Sequence, residues 1–118
     1  MGTFSVTFRL ANLQGGEQRE VEGLVDTGST YSILPAPLLH ELGIQPFDSD
    51  MFELADGRVV RQEIGGAIVT INGRNGLTNV VFGPEGAEPV LGAHALEGLR
   101  MIVDPYGERL LHASRLRM

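Results

Sequence analysis

The stretch Val21-Glu22-Gly23-Leu24-Val25-Asp26-Thr27-Gly28-Ser29 decides the fold of this sequence. Its first part is largely apolar and predicts a β-strand that ends at Asp26. The residues that follow are small and suit a tight turn, in which Gly28 allows the backbone to approach the carboxylate closely. The motif occurs once. The sequence therefore sets a single carboxylate in a turn at the end of a strand.

A second motif, Val90-Leu91-Gly92, lies far downstream. Together with residues 71–83, the two motifs resemble the retroviral-type, or retropepsin-like, aspartic proteases, in which a hydrophobic-hydrophobic-Gly motif follows the flap. The distance from Asp26 to Gly92 is also similar to theirs, and the resemblance covers roughly residues 4–103. It implies an aspartic-type endopeptidase that hydrolyses bonds in a peptide or protein substrate.

The single motif also bears on assembly, because an aspartic protease needs two catalytic aspartates. The resemblance therefore implies a homodimer with one lobe per chain, in which each copy contributes its Asp26. Two adjacent carboxylates share one proton because both cannot ionise cheaply, an effect for which aspartic proteases are the standard example. One member activates a water and the other donates to the peptide carbonyl, so no metal or organic cofactor is expected.

The neighbours of Asp26 acquire roles from the same resemblance. The Thr27 hydroxyl is expected to reach across the two-fold axis to the backbone of the partner, and Gly28 to leave room for the substrate. The Ser29 hydroxyl is expected to donate a hydrogen bond to the outer oxygen of Asp26. Such a bond favours the charged form and lowers the pKa, so Ser29 predicts an acid-leaning optimum.

Residues Ala55-Asp56-Gly57 fall where retropepsin-like proteases carry the tip of the flap. An Asp-Gly pair between two apolar runs predicts a hairpin, with Gly57 at a positive φ. We expect this hairpin to cover a peptide bound in extended form and to exclude water. Two alternative roles for Asp56 carry equal weight: it contacts the substrate, or it only forms the turn.

Three features depart from the retroviral pattern. Ala93 and Thr30 stand where those enzymes pair an arginine with an acidic residue, so that salt bridge is missing. The flap tip lacks a glycine-rich run, which predicts a stiffer and more polar flap. The chain also continues past the retroviral end, and a last hairpin there is expected to contribute to a rebuilt dimer interface.

Length and composition limit the class of protein. A chain of 118 residues predicts one domain, residues 1–118, and 16 glycines with 6 prolines predict many turns between short strands. Without cysteine the chain has no disulfide, no thiolate metal site and no cysteine nucleophile. This composition is compatible with a reducing compartment, and we expect a cytoplasmic protein.

The net charge and the hydropathy argue against two kinds of partner, nucleic acid and the membrane interior. A formal charge of −6 argues against non-specific binding to nucleic acid, which relies on basic side chains that neutralise phosphates. No stretch of about 18 apolar residues is present, so no membrane span is expected in this chain. The N-terminus lacks the basic and apolar regions of a signal peptide.

Hydrophobic alternation and turn residues predict a mostly β fold. The resemblance implies the small closed barrel of acid proteases, with a flap hairpin and one or two short helices. Strands are predicted at residues 4–10, 19–25, 31–34, 51–54, 59–64, 67–71, 77–82, 100–103 and 109–112. Helices are predicted at residues 37–42 and 93–99, a hairpin turn at residues 12–17 and a loop at residues 83–88. Asp48 and Asp50 are also expected in a loop.

Other interpretations remain open at this point. Asp26 is a candidate for an ordinary turn residue, since Asp and Gly are common in turns. The alternative function is a catalytically inactive dimer of the protease fold that binds peptides as an interaction module. A third possibility is a monomer whose partner domain belongs to another protein. His40, His94 and His112 are scattered without metal-ligand spacing, so no metal site is predicted.

Overall fold

The computed structural model describes residues 3–104 and 106–113. It is mostly β, as predicted, and contains two short helices. The elements in chain order are β1 (Phe4–Ala11), β2 (Gln18–Val25), β3 (Ser32–Pro35), α1 (Ala36–Glu41), β4 (Pro46–Glu53), β5 (Val59–Ile71), β6 (Arg74–Gly83), β7 (Val90–Leu91), α2 (Ala93–Leu99), β8 (Met101–Asp104) and β9 (Arg109–His112).

Six of the strands form a closed ring. Their order is β1-β2-β7-β3-β6-β5, and the ring closes where residues 9–11 of β1 pair with residues 68–70 of β5. The short strand β7 runs parallel to β2 and antiparallel to β3, so it joins the two halves of the ring. Each of these six strands therefore has a strand neighbour on both sides over at least part of its length. The predicted closed architecture is therefore present.

The long strand β5 corrects one prediction. It is a single strand of 13 residues, where the sequence predicted two strands with a break at Gly65 and Gly66. Its first half pairs with β4 and its second half with β6. The glycines make room for neighbours, since a Cβ on Gly65 would lie 3.0 Å from the Phe82 ring and one on Gly66 3.0 Å from Leu13. They therefore permit close packing where the hairpin meets the ring.

Strand β4 corrects a second prediction, because it begins at Pro46 and includes Asp48 and Asp50, which were expected in a loop. Acidic residues are depleted in strands and so concealed the pattern. Each carboxylate accepts a hydrogen bond of 2.8 Å from the next backbone N–H, that of Ser49 or Met51. Since β4 is the edge strand of the sheet, these bonds occupy donors that would otherwise invite another strand.

The core is built from side chains of the ring strands and of both helices. Helix α2 crosses β6 at very short range, because a Cβ on Gly76 would lie 2.7 Å from the carbonyl carbon of Gly98. Only a glycine allows two backbones to approach so closely. The largest fully buried apolar side chains are Phe8, Leu10, Leu34, Leu39, Ile44, Leu91, Leu99, Val69 and Val80.

The last hairpin, β8–β9, forms a separate two-stranded sheet in which Ile102 lies opposite Leu111. Both side chains are exposed. Its predicted strands are therefore confirmed within one residue at each end. Within the described ranges, neither helix is long and apolar enough to cross a membrane.

The burial pattern yields a matched stability test on two ring strands. Leu10 is 0% exposed and Leu77 is 66% exposed. We expect Leu10→Ala to lower the free energy of unfolding by about 2–5 kcal/mol, because it leaves a cavity in the core. We expect Leu77→Ala to change it by less than about 0.5 kcal/mol. Urea unfolding followed by circular dichroism measures both, and equal losses would contradict this account of the core.

Candidate active site

Asp26 follows the last residue of β2 and is held by the strand beside it. Leu24 and Val25 pair with Val90 and Leu91 of β7, and the Asp26 N–H donates to the Leu91 carbonyl at 3.0 Å. The hydrophobic-Gly motif, distant in sequence, therefore lies directly against the strand that delivers the carboxylate.

The turn after Asp26 orients the carboxylate through backbone bonds. The Gly28 N–H donates to Asp26 Oδ1 at 2.9 Å, and the Ser29 N–H donates to the Asp26 carbonyl at 3.1 Å. A Cβ on Gly28 would lie 3.2 Å from the same Oδ1, so a side chain there would crowd the carboxylate. Thr27 lies between them and is partly buried. The motif thus presents one oriented, partly exposed carboxylate.

Gly92 locks the other side of the turn. A Cβ at this position would lie 2.5 Å from the Tyr31 carbonyl oxygen and 2.6 Å from that of Ser29. Its own N–H donates at 3.1 Å to the hydroxyl of Ser32, which is buried. Glycine is therefore required here by close approach of the backbone.

The positions that lack the retroviral salt bridge are joined by the backbone instead. The Ala93 N–H donates to the Ser29 carbonyl at 2.8 Å, and the His94 N–H donates to the Thr30 carbonyl at 3.0 Å. These bonds tie the first turn of α2 to the active-site turn. The missing ion pair therefore leaves the turn supported within the chain.

The flap turn forms as predicted at residues 54–58. The Leu54 N–H donates to the Arg58 carbonyl at 2.8 Å, the Gly57 N–H donates to the Leu54 carbonyl at 2.9 Å, and Gly57 has a φ of +88°. The Asp56 carboxylate accepts from the Arg58 N–H at 3.0 Å and from its Nε at 2.7 Å. Between the two predicted roles of Asp56, this geometry supports formation of the turn.

The bonds to Asp56 also affect its ionisation. The backbone N–H of Arg58, and next its guanidinium, lower the pKa of the Asp56 carboxyl. A lowered pKa in the folded state means that the carboxylate stabilises the turn above the ordinary pKa of Asp. This contribution is lost as the pH falls through the lowered value.

A cleft of about 640 Å³ lies between the active-site turn and the flap hairpin. It brings Asp26, Gly28 and Ser29 together with Ala55, whereas the other predicted site residues are absent from its described walls. Most of the walls were not predicted, because residues from four separate segments supply them. The additional lining residues are Thr30, Tyr31, Ile33, Phe52, Glu53, Leu54, Gln62, Val81, Gly83 and Pro84.

Comparison with known proteins decides the family. The sequence profile of the family described as aspartyl protease matches residues 10–95, a span that includes Asp26 and the hydrophobic-Gly motif. The chain belongs to the aspartyl protease family. No curated protein sequence matches it closely enough to add to this assignment.

Two solved structures show the same fold. The simian foamy virus (mac) protease has a TM-score of 0.53 at 14% identity, over 78% of this chain and 92% of the viral one. The retroviral protease-like domain of Ddi1 from Leishmania major has a TM-score of 0.55 at 18% identity, over 92% of this chain and 88% of that domain. The predicted retropepsin-like fold is therefore confirmed.

Ser29 does not make the predicted hydrogen bond. Its hydroxyl donates to the Tyr31 carbonyl at 2.8 Å, two residues ahead, and not to Asp26. The bend after the turn brings that carbonyl within reach, and hydroxyls often satisfy nearby backbone groups in this way. Ser29 therefore stabilises the turn, and the acid-leaning optimum inferred from it loses its physical basis.

The charge lining the cleft is acidic. Among the described lining residues, Asp26 and Glu53 carry charge, and Glu53 lies on the flap strand β4. Within residues 3–104 and 106–113, no three His, Cys, Asp or Glu side chains come together as a metal ion would require. Asp26 and Glu53 are therefore the two charged groups among the described walls of the cleft.

Gly92 provides a test of the locked turn. Gly92→Ala should lower the free energy of unfolding by about 3 kcal/mol, because its Cβ would collide with two backbone carbonyls. Gly86→Ala is the control, since its φ of +81° is unfavourable for alanine but its Cβ would meet nothing within 4 Å. We expect about 1–2 kcal/mol for this control. If Gly92→Ala costs no more than the control in urea unfolding, the close approach is not real.

Proposed function

We propose that this chain is an aspartic endopeptidase that acts as a homodimer. The observation that carries the proposal is the position of Asp26, an oriented carboxylate in a cleft that faces a flap hairpin. Membership of the aspartyl protease family supports the same reaction. Hydrolysis of a peptide bond by such a site needs a second carboxylate close to the first.

The second carboxylate comes from another copy of the chain. The only other acidic residue among the described walls of the cleft is Glu53, which is exposed and lies on the flap strand. A carboxylate on the flap would cover the substrate from the side opposite Asp26. Two copies related by a two-fold axis would instead place two identical turns side by side, and such symmetry is the commonest way to close a small oligomer.

In the dimer the two Asp26 carboxylates would divide the acid and base roles. Like charges at short range cannot both ionise cheaply, so the pair holds one proton. The ionised carboxylate removes a proton from a water that attacks the scissile carbonyl carbon, and the protonated one donates to the carbonyl oxygen. The first carboxyl then gives its proton to the amide nitrogen as the C–N bond breaks, and the second takes back a hydroxyl proton, which restores the pair. The Gly28 N–H, which bonds Asp26 Oδ1, keeps each carboxylate in place during this exchange.

The substrate is a peptide in extended form. The cleft runs between the active-site turn and the flap strand, and much of its described wall is apolar. A peptide strand placed there would use backbone hydrogen bonds for affinity and side-chain pockets for selection. Ile33, Phe52, Leu54 and Val81 would favour apolar side chains near the scissile bond.

The dimer contact would include Thr27 and the hairpin β8–β9. On that hairpin Ile102 and Leu111 form a directly opposed pair, 55% and 37% exposed. Such a pair on one face of a small sheet gains from burial against an identical face. Because this hairpin follows α2, which is bonded to the active-site turn, contact there would also position the two aspartates.

The catalytic proposal predicts a contrast between two carboxylates of the cleft. Asp26→Asn should abolish peptide cleavage while the unfolding transition persists, because it removes both the acid and the base of the dimer. Glu53→Gln, the matched control, should retain at least about a third of kcat/KM, since rim charges act mainly on substrate encounter. A peptide-library digest followed by mass spectrometry identifies a substrate, on which both variants are then measured.

The digest also separates the two functions considered for this chain. Full cleavage by Asp26→Asn would refute the enzyme. Peptides that bind but are never cut by the wild-type chain at any pH from 3 to 8 would favour the inactive interaction module. Sensitivity to an aspartic-protease inhibitor, with no effect of chelators, distinguishes this chemistry from a contaminating metalloprotease.

The assembly proposal predicts that activity depends on concentration. On dilution, specific activity should fall with the dimer population, because one chain holds only one Asp26. Ile102→Glu should raise the dissociation constant of the dimer about tenfold or more, since it buries an unpaired charge. Phe47→Glu, at an exposed position on β4, should leave it unchanged.

Analytical ultracentrifugation, with an activity titration in parallel, measures both quantities. A monomer that keeps full specific activity would contradict the homodimer. If Ile102→Glu and Phe47→Glu give the same dissociation constant for the dimer, the β8–β9 face is not the contact between the two copies.

A further inference from the structure

An aromatic contact joins the active-site turn to the flap. The ring of Tyr31 meets that of Phe52 edge to face, with centroids 5.8 Å apart and planes at 75°. The Tyr31 ring also meets the ring of His94 in α2, with centroids 6.3 Å apart and planes at 73°. Both separations lie in the range in which aromatic pairs attract each other beyond the burial of their area.

Tyr31 sits on the rigid side of this contact. Its carbonyl accepts the Ser29 hydroxyl at 2.8 Å and lies against Gly92, where a Cβ would be only 2.5 Å away. The next residue, Ser32, is buried in β3 and accepts the Gly92 N–H. The backbone of Tyr31 is therefore fixed by the same bonds that hold the turn of Asp26.

Phe52 sits on the flap side of this contact. It belongs to β4, which pairs with β5 and lies at the edge of the sheet formed by the described strands. Two residues further on, Leu54 begins the flap turn, whose residues 55–58 are exposed. The Phe52 side chain is nevertheless partly buried, because it lines the cleft opposite Tyr31. Phe52 is thus a point at which the hairpin rests on the body of the fold.

We propose that Tyr31 is a positioning residue that sets the distance between the flap and Asp26 through its ring contact with Phe52. As it bears on catalysis, this inference rests on the proposed endopeptidase function. Because the backbone of Tyr31 is held in place, its edge-to-face contact with Phe52 biases the flap hairpin toward a closed position over the cleft. A side chain of the substrate must then fit beside the two rings, so the same contact sets the width of the cleft.

The proposal separates the ring of Tyr31 from its hydroxyl and from its bulk. Tyr31→Phe keeps the edge-to-face contact, whereas Tyr31→Leu keeps an apolar side chain but removes the ring. Phe52→Leu removes the other ring from the exposed hairpin and serves if Tyr31→Leu fails to fold. Phe47→Leu is the matched control, because Phe47 lies on the same strand, is 67% exposed and is not among the cleft walls.

Hydrogen–deuterium exchange of the backbone amides at residues 52–60 tests the contact without any need for catalysis. Tyr31→Leu and Phe52→Leu should each speed exchange there by about 2- to 12-fold, the range expected when an aromatic pair is lost from a locally opening segment. Tyr31→Phe and Phe47→Leu should exchange like the wild type. Equal exchange in all five proteins, each shown to be folded by its thermal transition, would overturn the proposal.

Kinetics then test the positioning role. Tyr31→Leu and Phe52→Leu should raise KM by a larger factor than they lower kcat. Tyr31→Phe, which keeps the ring, should have the KM and kcat of the wild type. In a double-mutant cycle, the loss of kcat/KM in the double variant should be about 2- to 12-fold smaller than the product of the two single losses, because both variants remove the same contact. Effects that multiply fully would contradict coupling through the rings.

The two readouts keep the failures apart. If the wild-type chain cleaves no peptide, the proposed function fails, while the exchange data still decide whether Tyr31 restrains the flap. If the wild type cleaves and Tyr31→Leu leaves flap exchange unchanged, the positioning role fails and the endopeptidase stands.

Discussion

The hydrogen bonds that insert β7 between β2 and β3 are the interaction on which this structure depends. Two residues, Val90 and Leu91, join the two halves of the ring, and the Leu91 carbonyl accepts the N–H of Asp26. Gly92 then lets α2 begin against the active-site turn, where a side chain would collide with two carbonyls. The joining of the two halves of the ring and the placement of Asp26 are thus parts of one contact.

Much of this arrangement was predictable because it is written in local patterns. The Asp56-Gly57 pair marked the flap turn, a helix was predicted at residues 93–99, and both lie where they were predicted. The continuity of β5 through Gly65 was not predictable, because its reason is the Phe82 ring from another strand. The partner of Ser29 and the Tyr31–Phe52 contact likewise depend on how the chain folds back on itself.

The proposed mechanism depends on two parts of the site, the active-site turn and the flap hairpin. One half of the site consists of backbone bonds around Asp26, and the other half is an edge hairpin whose turn is stabilised by the Asp56–Arg58 pair. Under the proposed mechanism, one chain holds half of the catalytic pair and gains activity only on association. In this account, dimerisation completes the carboxylate pair, and the flap then closes over a peptide that spans both copies.

The stoichiometry of inhibitor binding tests this account most directly. Isothermal titration calorimetry would use a peptide whose scissile amide is replaced by a hydroxyl-bearing tetrahedral carbon, which mimics the hydrated intermediate held by two carboxylates. The account predicts one inhibitor for every two chains, with binding lost in Asp26→Asn. One inhibitor bound to each chain, or binding that is indifferent to Asp26→Asn, would contradict a site shared between two copies.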